Sequence, residues 1–239
     1  CIRDSSIIGG QKIDRYSIYV DRKRSLAKEW DLGYGMSYRF AKDRDFQTYD
    51  KVTGDIPTEN TDSRLREQTA NVYVSLSKNY ATGTSVSISA TGEYYTIGNY
   101  RKWAVYPQAS LTYVKSSEHL FQFSLSTDKT YPGYWDMQSS VSHLNGYTEL
   151  WGTPGLKPST AYNLNGNYIW KQKYIFGLFF MHTSDFFVQT GYQSTDRLAL
   201  IYKNTNWNYM QMWGTNVILP FKAGNWLDSR LTLVGMQVH

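Results

Sequence analysis

Between Glu29 and Asp43 the chain alternates. Trp30, Leu32, Tyr34, Met36, Tyr38 and Phe40 fall on one side, and Asp31, Gly33, Gly35, Ser37, Arg39 and Ala41 on the other. Successive side chains of a strand point to opposite faces, so the spacing predicts a strand with one apolar face and one small or polar face. A protein core or a lipid bilayer could take the apolar side. The pattern recurs. Ala70, Val72, Val74 and Leu76 oppose Asn71, Tyr73, Ser75 and Ser77; Val86, Ile88 and Ala90 oppose Ser85, Ser87, Ser89 and Thr91. Phe121, Phe123 and Leu125 oppose Gln122, Ser124 and Ser126; Tyr162, Leu164, Tyr168 and Trp170 oppose Asn163, Asn165 and Asn167. No stretch carries a comparable helical period, so the class is all-β.

The connections sort the fold further. Residues 41–67 and 130–160 read as long loops, 92–101 as a medium one, and 184–205 as a long one with β-like pieces in "DFFVQT" and "RLALIYK". Between them lie short links at 77–82, 115–119, 171–173 and 220–225. In an up-and-down antiparallel meander this places the short turns at one end and the long loops at the other, the layout of a transmembrane β-barrel. The polar faces are Ser, Asn, Gly and Gln, which suits a lumen better than bulk water. Trp30, Trp103, Trp170, Tyr174, Trp207 and Trp226 gather near strand ends, where lipid meets water. The apolar face of 29–41 is therefore expected to meet lipid; a soluble sheet core is the alternative. "YIFGLFFM" (174–181) is apolar on both faces and is expected to pack against something inside.

Composition agrees. Of 239 residues, 21 are Tyr, 10 Phe and 8 Trp, and no apolar run reaches the length of a membrane helix. The net charge of +5 is dispersed except in "DRKRSLAK" (21–28), which reads as a solvated turn rather than a nucleic-acid patch. Cys1 is the only cysteine, so no internal disulfide forms. A lipid-modified terminus is one expectation for Cys1; a piece cut from a longer protein is the other.

Residues 101–174 carry an ordered set of marks. Pro107 follows Tyr106 early in a strand, "TDKTYPGYWDM" forms a basic–aromatic–Pro corner, and "ELWGTPGLKPSTAYNL" follows with Gly152, Pro154, Leu156, Pro158 and Leu164. This run resembles the outer membrane protein beta-barrel family, TonB-dependent-receptor-like and of Bacteroidetes type. Thr153 stands where that family carries Asn, and "TYP" where it carries Arg-Pro. The resemblance implies a barrel of about 22 strands, an N-terminal plug and a TonB-type energy-transducing partner. Here residues 1–239 read as barrel alone, about nine or ten strands, a partial barrel without the plug, with outer-membrane lipid around it and the bacterial outer membrane as its location. An unclosed sheet leaves unpaired backbone groups, so the chain reads as part of a longer protein, though a smaller complete barrel stays open.

Chemistry is sparse. The four His are not spaced as metal ligands, and no cofactor or metal is expected. His143 follows three nearby serines without a nucleophile elbow or an acidic partner, so the chain is not expected to be an enzyme. "DKVTGDIPTENTD" (50–62) lacks the spacing of a calcium loop. The Asn163, Asn165, Asn167 row suggests a hydrogen-bonding ladder. The ligand-binding candidates are loop aromatics: Tyr94, Tyr95 and Tyr100 in one loop, Tyr134, Trp135, Tyr147 and Trp151 in another. Rings beside amides suit sugar or peptide ligands, or a surface lipoprotein; packing the loops into a lid is the other reading. The expected function is solute uptake. A non-transporting anchor or assembly barrel and a soluble β-sandwich binding module are the alternatives.

Overall fold

The computed structural model describes residues 6–50 and 60–239. Ten long strands form one sheet. They are β1 (Ser6–Ser25), β2 (Trp30–Asp50), β3 (Thr61–Asn79), β4 (Ser85–Ile97), β5 (Tyr100–Ser116), β6 (His119–Thr130), β9 (Ser159–Trp170), β10 (Tyr174–Ser184), β13 (Tyr209–Ala223) and β14 (Leu227–Val238). Four short strands, β7 (Val141–Asn145), β8 (Thr148–Trp151), β11 (Phe187–Gln193) and β12 (Leu200–Asn206), make a second sheet. The large sheet is antiparallel throughout, in chain order once the short strands are set aside. Among the described residues β1 and β14 pair on one side only, so the sheet is open.

The alternation sets the faces. Ile18, Val20, Met36, Val72, Ile88, Val105 and Leu178 share the outward face, and each is more than half exposed. No second layer covers them, which removes the soluble sandwich: a sandwich would bury this face. The buried apolar side chains sit elsewhere. Tyr95, Ile97, Met137 and Leu156 form the core, between the inward face of the large sheet and the segment that follows β6.

Links of three to five residues join β1–β2, β3–β4, β9–β10 and β13–β14 at one end, with an even shorter one at β5–β6. The chain differs from expectation in three places, two at the other end and one in the β1–β2 turn. The predicted loop 41–67 is mostly strand: β2 runs to Asp50 and β3 starts at Thr61, paired from Trp30–Lys78 up to Gln47–Thr61. Above Phe40 both faces turn polar, so hydrophobic alternation vanishes while the backbone ladder continues. The predicted loop 92–101 is a tight hairpin turning at Gly98, whose φ of +54° favours glycine. Likewise β1 extends through residues 21–25, leaving only 26–29 as the turn. The two remaining connections carry the second sheet, ordered β11-β12-β8-β7, in which β12 pairs parallel with β8. The β-like pieces expected at 185–203 are β11 and β12. This small sheet, with residues 131–158, forms a lid over the inward face.

"YIFGLFFM" places Phe176, Leu178 and Phe180 outward and Ile175, Gly177, Phe179 and Met181 inward. Phe179 lies where a side chain on Gly214 would stand, so ring and glycine fit together across the β10–β13 ladder.

Candidate functional site

On β2, β3 and β4 the inward rows are mostly small and polar until they reach the lid. There β3 presents Glu67 and Thr69, β4 presents Glu93 and Tyr95, and β5 presents Tyr106, all buried. Arg39 on β2 reaches Glu67 at 3.5 Å and Thr69 Oγ1 at 3.3 Å. The Lys129 ammonium pairs with Glu93 and lies over the rings of Tyr95 and Tyr131, at 4.5 and 4.7 Å. Tyr106 donates to the same Glu93 carboxylate at 3.1 Å, and Tyr131 does so at 2.5 Å. Glu67 and Glu93 thus each have a cation and a phenol, which meets the requirement that buried charge be paired.

The lid enters this network through Tyr131 and Tyr134. Tyr134 donates to Glu67. Burial, and then the hydrogen bond to Glu93, raises the Tyr131 phenol well above its ordinary range. Burial, and then the hydrogen bond to Glu67, pushes the Tyr134 phenol up to about 12. Both phenols therefore stay protonated donors at neutral pH. Beside Tyr134 a cleft of about 430 Å³ opens, lined by Gln11, Arg15, Arg39, Glu67, Tyr131 and Trp135 among others. It offers guanidinium, phenol, amide and indole groups to a ligand: hydrogen bonds and ring faces, with no assembled nucleophile. Ser140 Oγ donates to Gln138 Oε1, and His143 faces Glu149 at 3.6 Å, so Ser140 and His143 are engaged separately.

The family-type segment locks the lid. Leu156 is 1% exposed, in the core with Tyr95 and Ile97, and Pro158 is fully buried beside it. Gly155 turns the chain at φ +83°. A Cβ on Gly152 would collide with the Gln138 carbonyl, so only glycine allows the Gly152 N–H to reach Ser140 O at 3.1 Å. Thr153, the departure from the family pattern, donates its N–H to Asp136 O and its hydroxyl to Asn204 O, both at 2.6 Å. It thereby ties the β6–β9 connection to the β10–β13 connection. Arg197 and Glu149, 2.6 Å apart, form a second tie. Pro154 lies within this segment, at the turn before Gly155. Pro107 pairs with Ala90 of β4, but the ladder toward β6 ends next to it, at Ala109–Leu125, because proline has no N–H to give; Thr127 bonds its carbonyl instead, at 2.7 Å.

The predicted aromatics divide. Tyr94, Tyr95 and Tyr100 are strand residues, not loop residues, because the β4–β5 ladder runs to Ile97–Tyr100. Tyr94 faces outward against Trp103, ring centroids 4.6 Å apart; Tyr95 is a buried core residue; Tyr100 packs against that core. Tyr134 and Trp135 line the cleft. Tyr147 is exposed in the β7–β8 turn, and Trp151 ends β8 with its indole N–H on Glu149. Arg39, Glu67, Glu93, Tyr106 and Lys129 were not singled out from sequence. Their signal was there: Glu67 and Glu93 follow inward rows of Ser, Thr, Asn and Tyr, Ser77 to Thr69 on β3 and Ser85 to Thr91 on β4. Of the Asn row, Asn163 bonds Asp128 at 2.8 Å, and Asn167 and Asn216 flank Gly177. Cys1 and most of 50–62 lie outside the described residues.

A family model described as the outer membrane protein beta-barrel family matches residues 5–238. No curated protein matches the chain. Among solved structures, the siderophore receptor PirA from Pseudomonas aeruginosa superposes with a TM-score of 0.60 at 11% identity, over 95% of this chain and 43% of that one. A mutant of the ferric enterobactin receptor PfeA from Pseudomonas aeruginosa, in complex with enterobactin, gives 0.61 at 12%, over 95% and 36%. The copper transporter OprC gives 0.60 at 13%, over 96% and 38%. The chain spans less than half of each of these structures.

Proposed function

The chain belongs to the outer membrane protein beta-barrel family, a resident of the bacterial outer membrane, and from that premise we propose that it is the barrel portion of a TonB-dependent-receptor-like protein that takes up a solute. The unpaired edges of β1 and β14 support its being one part of a larger wall. The long-loop end, with its lid, faces the cell exterior, and a TonB-type partner acts from the other side through a region outside this chain. The matched siderophore receptor and copper transporter agree with uptake.

The observation that carries the reading is the cleft at Tyr134 and Trp135. It lies on the lumen side, below a lid that two connections build together, and it is rich in donors and rings. Such a site binds and gates; it breaks no bonds. Tyr134 and Trp135 contact the solute in the cleft, while Tyr147 and Trp151 on the lid's outer surface meet the arriving solute or a surface lipoprotein.

The test compares spent medium from cells carrying the full-length protein, cells lacking it, and cells with Arg39→Gln. Uptake requires at least one small solute to be depleted only by the first strain, with the depletion abolished by a protonophore. Depletion that survives the protonophore removes the TonB-type partner. Identical spent media leave the non-transporting barrel.

A further inference from the structure

Above the apolar band, the outward face of the first three strands turns basic. Lys12 on β1, Lys42 and Arg44 on β2, and Arg64 and Arg66 on β3 are all exposed there. Three directly opposite pairs carry like charge: Lys12 with Arg44, Arg44 with Arg64, and Lys42 with Arg66. Like charges directly opposite on a sheet repel, so this grid calls for an anion. Two acids share the patch. Asp62 takes Arg44 at 2.9 Å and Arg64 at 3.6 Å, and Asp14 stands 3.9 Å from Lys12. Lys42 and Arg66 form no ion pair among the described residues, and the basic side chains border a hollow of about 340 Å³.

Directly below, the same three strands change character. After one row of Tyr16, Phe40 and Gln68, an apolar groove of about 230 Å³ runs between Ile18, Val20, Met36, Tyr38 and Val72, with the small Ala70 as its floor. A second hollow of about 200 Å³ continues it toward Tyr34. A charged hollow stacked on an apolar groove, on the membrane-facing wall, matches one kind of molecule: an anionic head on hydrocarbon chains. Guanidinium pairs and ammonium groups favour phosphate, which accepts the bidentate fork.

We propose that this face of β1–β3 binds an outer-leaflet lipid whose headgroup carries two or more phosphates. The headgroup lies among Lys42, Arg44, Arg64 and Arg66, and an acyl chain lies in the groove over Ala70. The proposal rests on the orientation given above, with the lid end at the cell surface.

The test uses the full-length protein in neutral nanodiscs, titrated with a bisphosphorylated glycolipid. Lys42→Gln/Arg66→Gln removes two cations that hold no ion pair among the described residues, and Lys42→Arg/Arg66→Lys keeps the charge. The expected result is binding at least tenfold weaker in the first variant, near wild type in the second, and not displaced by millimolar inorganic phosphate. Equal binding by wild type and the neutral variant overturns the proposal; so does full displacement by inorganic phosphate, which would make the site one for free anions. An epitope inserted at Gly146 reports orientation separately. If it is reachable on intact cells while the glycolipid does not bind, the lipid site falls and the orientation stands.

Discussion

Leu156 is the anchor of the lid, and cutting it back isolates the lid's own stability. Its side chain is 1% exposed and packs with Tyr95, Ile97 and Met137. Leu156→Ala removes about three carbon groups at about 0.8 kcal/mol each. The cavity left behind adds to that, bringing the cost to about 3–4 kcal/mol. At 1.4 kcal/mol per factor of ten, lid opening should rise by two orders of magnitude or more. The ten-strand sheet draws its pairing from other contacts and should not respond. Leu144 supplies the control. It sits on the same lid but is 62% exposed, so Leu144→Ala should stay within about 0.5 kcal/mol. Amide hydrogen exchange in nanodiscs reads both variants: the β7, β8, β11 and β12 amides should lose protection in Leu156→Ala only. If the large sheet loosens as much as the lid, or if Leu156→Ala behaves like Leu144→Ala, the lid is not a separate unit held from this point.

Gly152→Ala should loosen the lid by about 1–3 kcal/mol, since its Cβ meets the Gln138 carbonyl. Gly146→Ala, with nothing within 4 Å, should be neutral in the same exchange measurement. Alkaline pH should release the Tyr134 tie. Its phenol is raised from an ordinary value of 10.0 to about 12, so its contribution is complete below the unfolded value and is lost as pH rises through the folded one. Lid exchange in wild type should therefore climb between pH 10 and about 12 more steeply than in Tyr134→Phe, and parallel curves would refute the tie.

The wall was legible in the sequence; a lid was one of two readings of the loop aromatics, and how it is built was not legible. A period of two with Met36, Val72 and Ile88 on one side is a local property of each strand, and exposure of those residues confirms the faces. The strand extensions beyond Phe40 escaped because Lys42 to Asp45 are charged on both faces and Phe46 stands alone, so the pattern that marks a strand has no contrast there. The aromatics at 94–100 looked like a loop for a similar reason: a hairpin turning on Gly98 and Asn99 hides between tyrosines that face opposite ways. The parallel pairing of β8 with β12 joins residues about fifty positions apart, and no local signal encodes it. Glu67 and Glu93 were visible as charges, yet their partners Arg39, Tyr134 and Lys129 come from other strands and from the lid.

The central claim is that even-numbered residues of β2 face lipid while odd-numbered ones face the lumen. Met36 tests it most directly. It lies midway between Trp30 at one rim and Lys42, where the outward row turns basic, and it is 62% exposed. Met36→Arg places a cation near the bilayer midplane, at a cost of about 2–4 kcal/mol. Ser37→Arg, one residue on, points inward beside Asn71 and loses only a 3.4 Å contact. Equilibrium insertion of the full-length protein into lipid vesicles should show Met36→Arg weakened by roughly thirtyfold or more, with Ser37→Arg close to wild type. Equal insertion of the two variants would contradict the face assignment and with it the membrane wall.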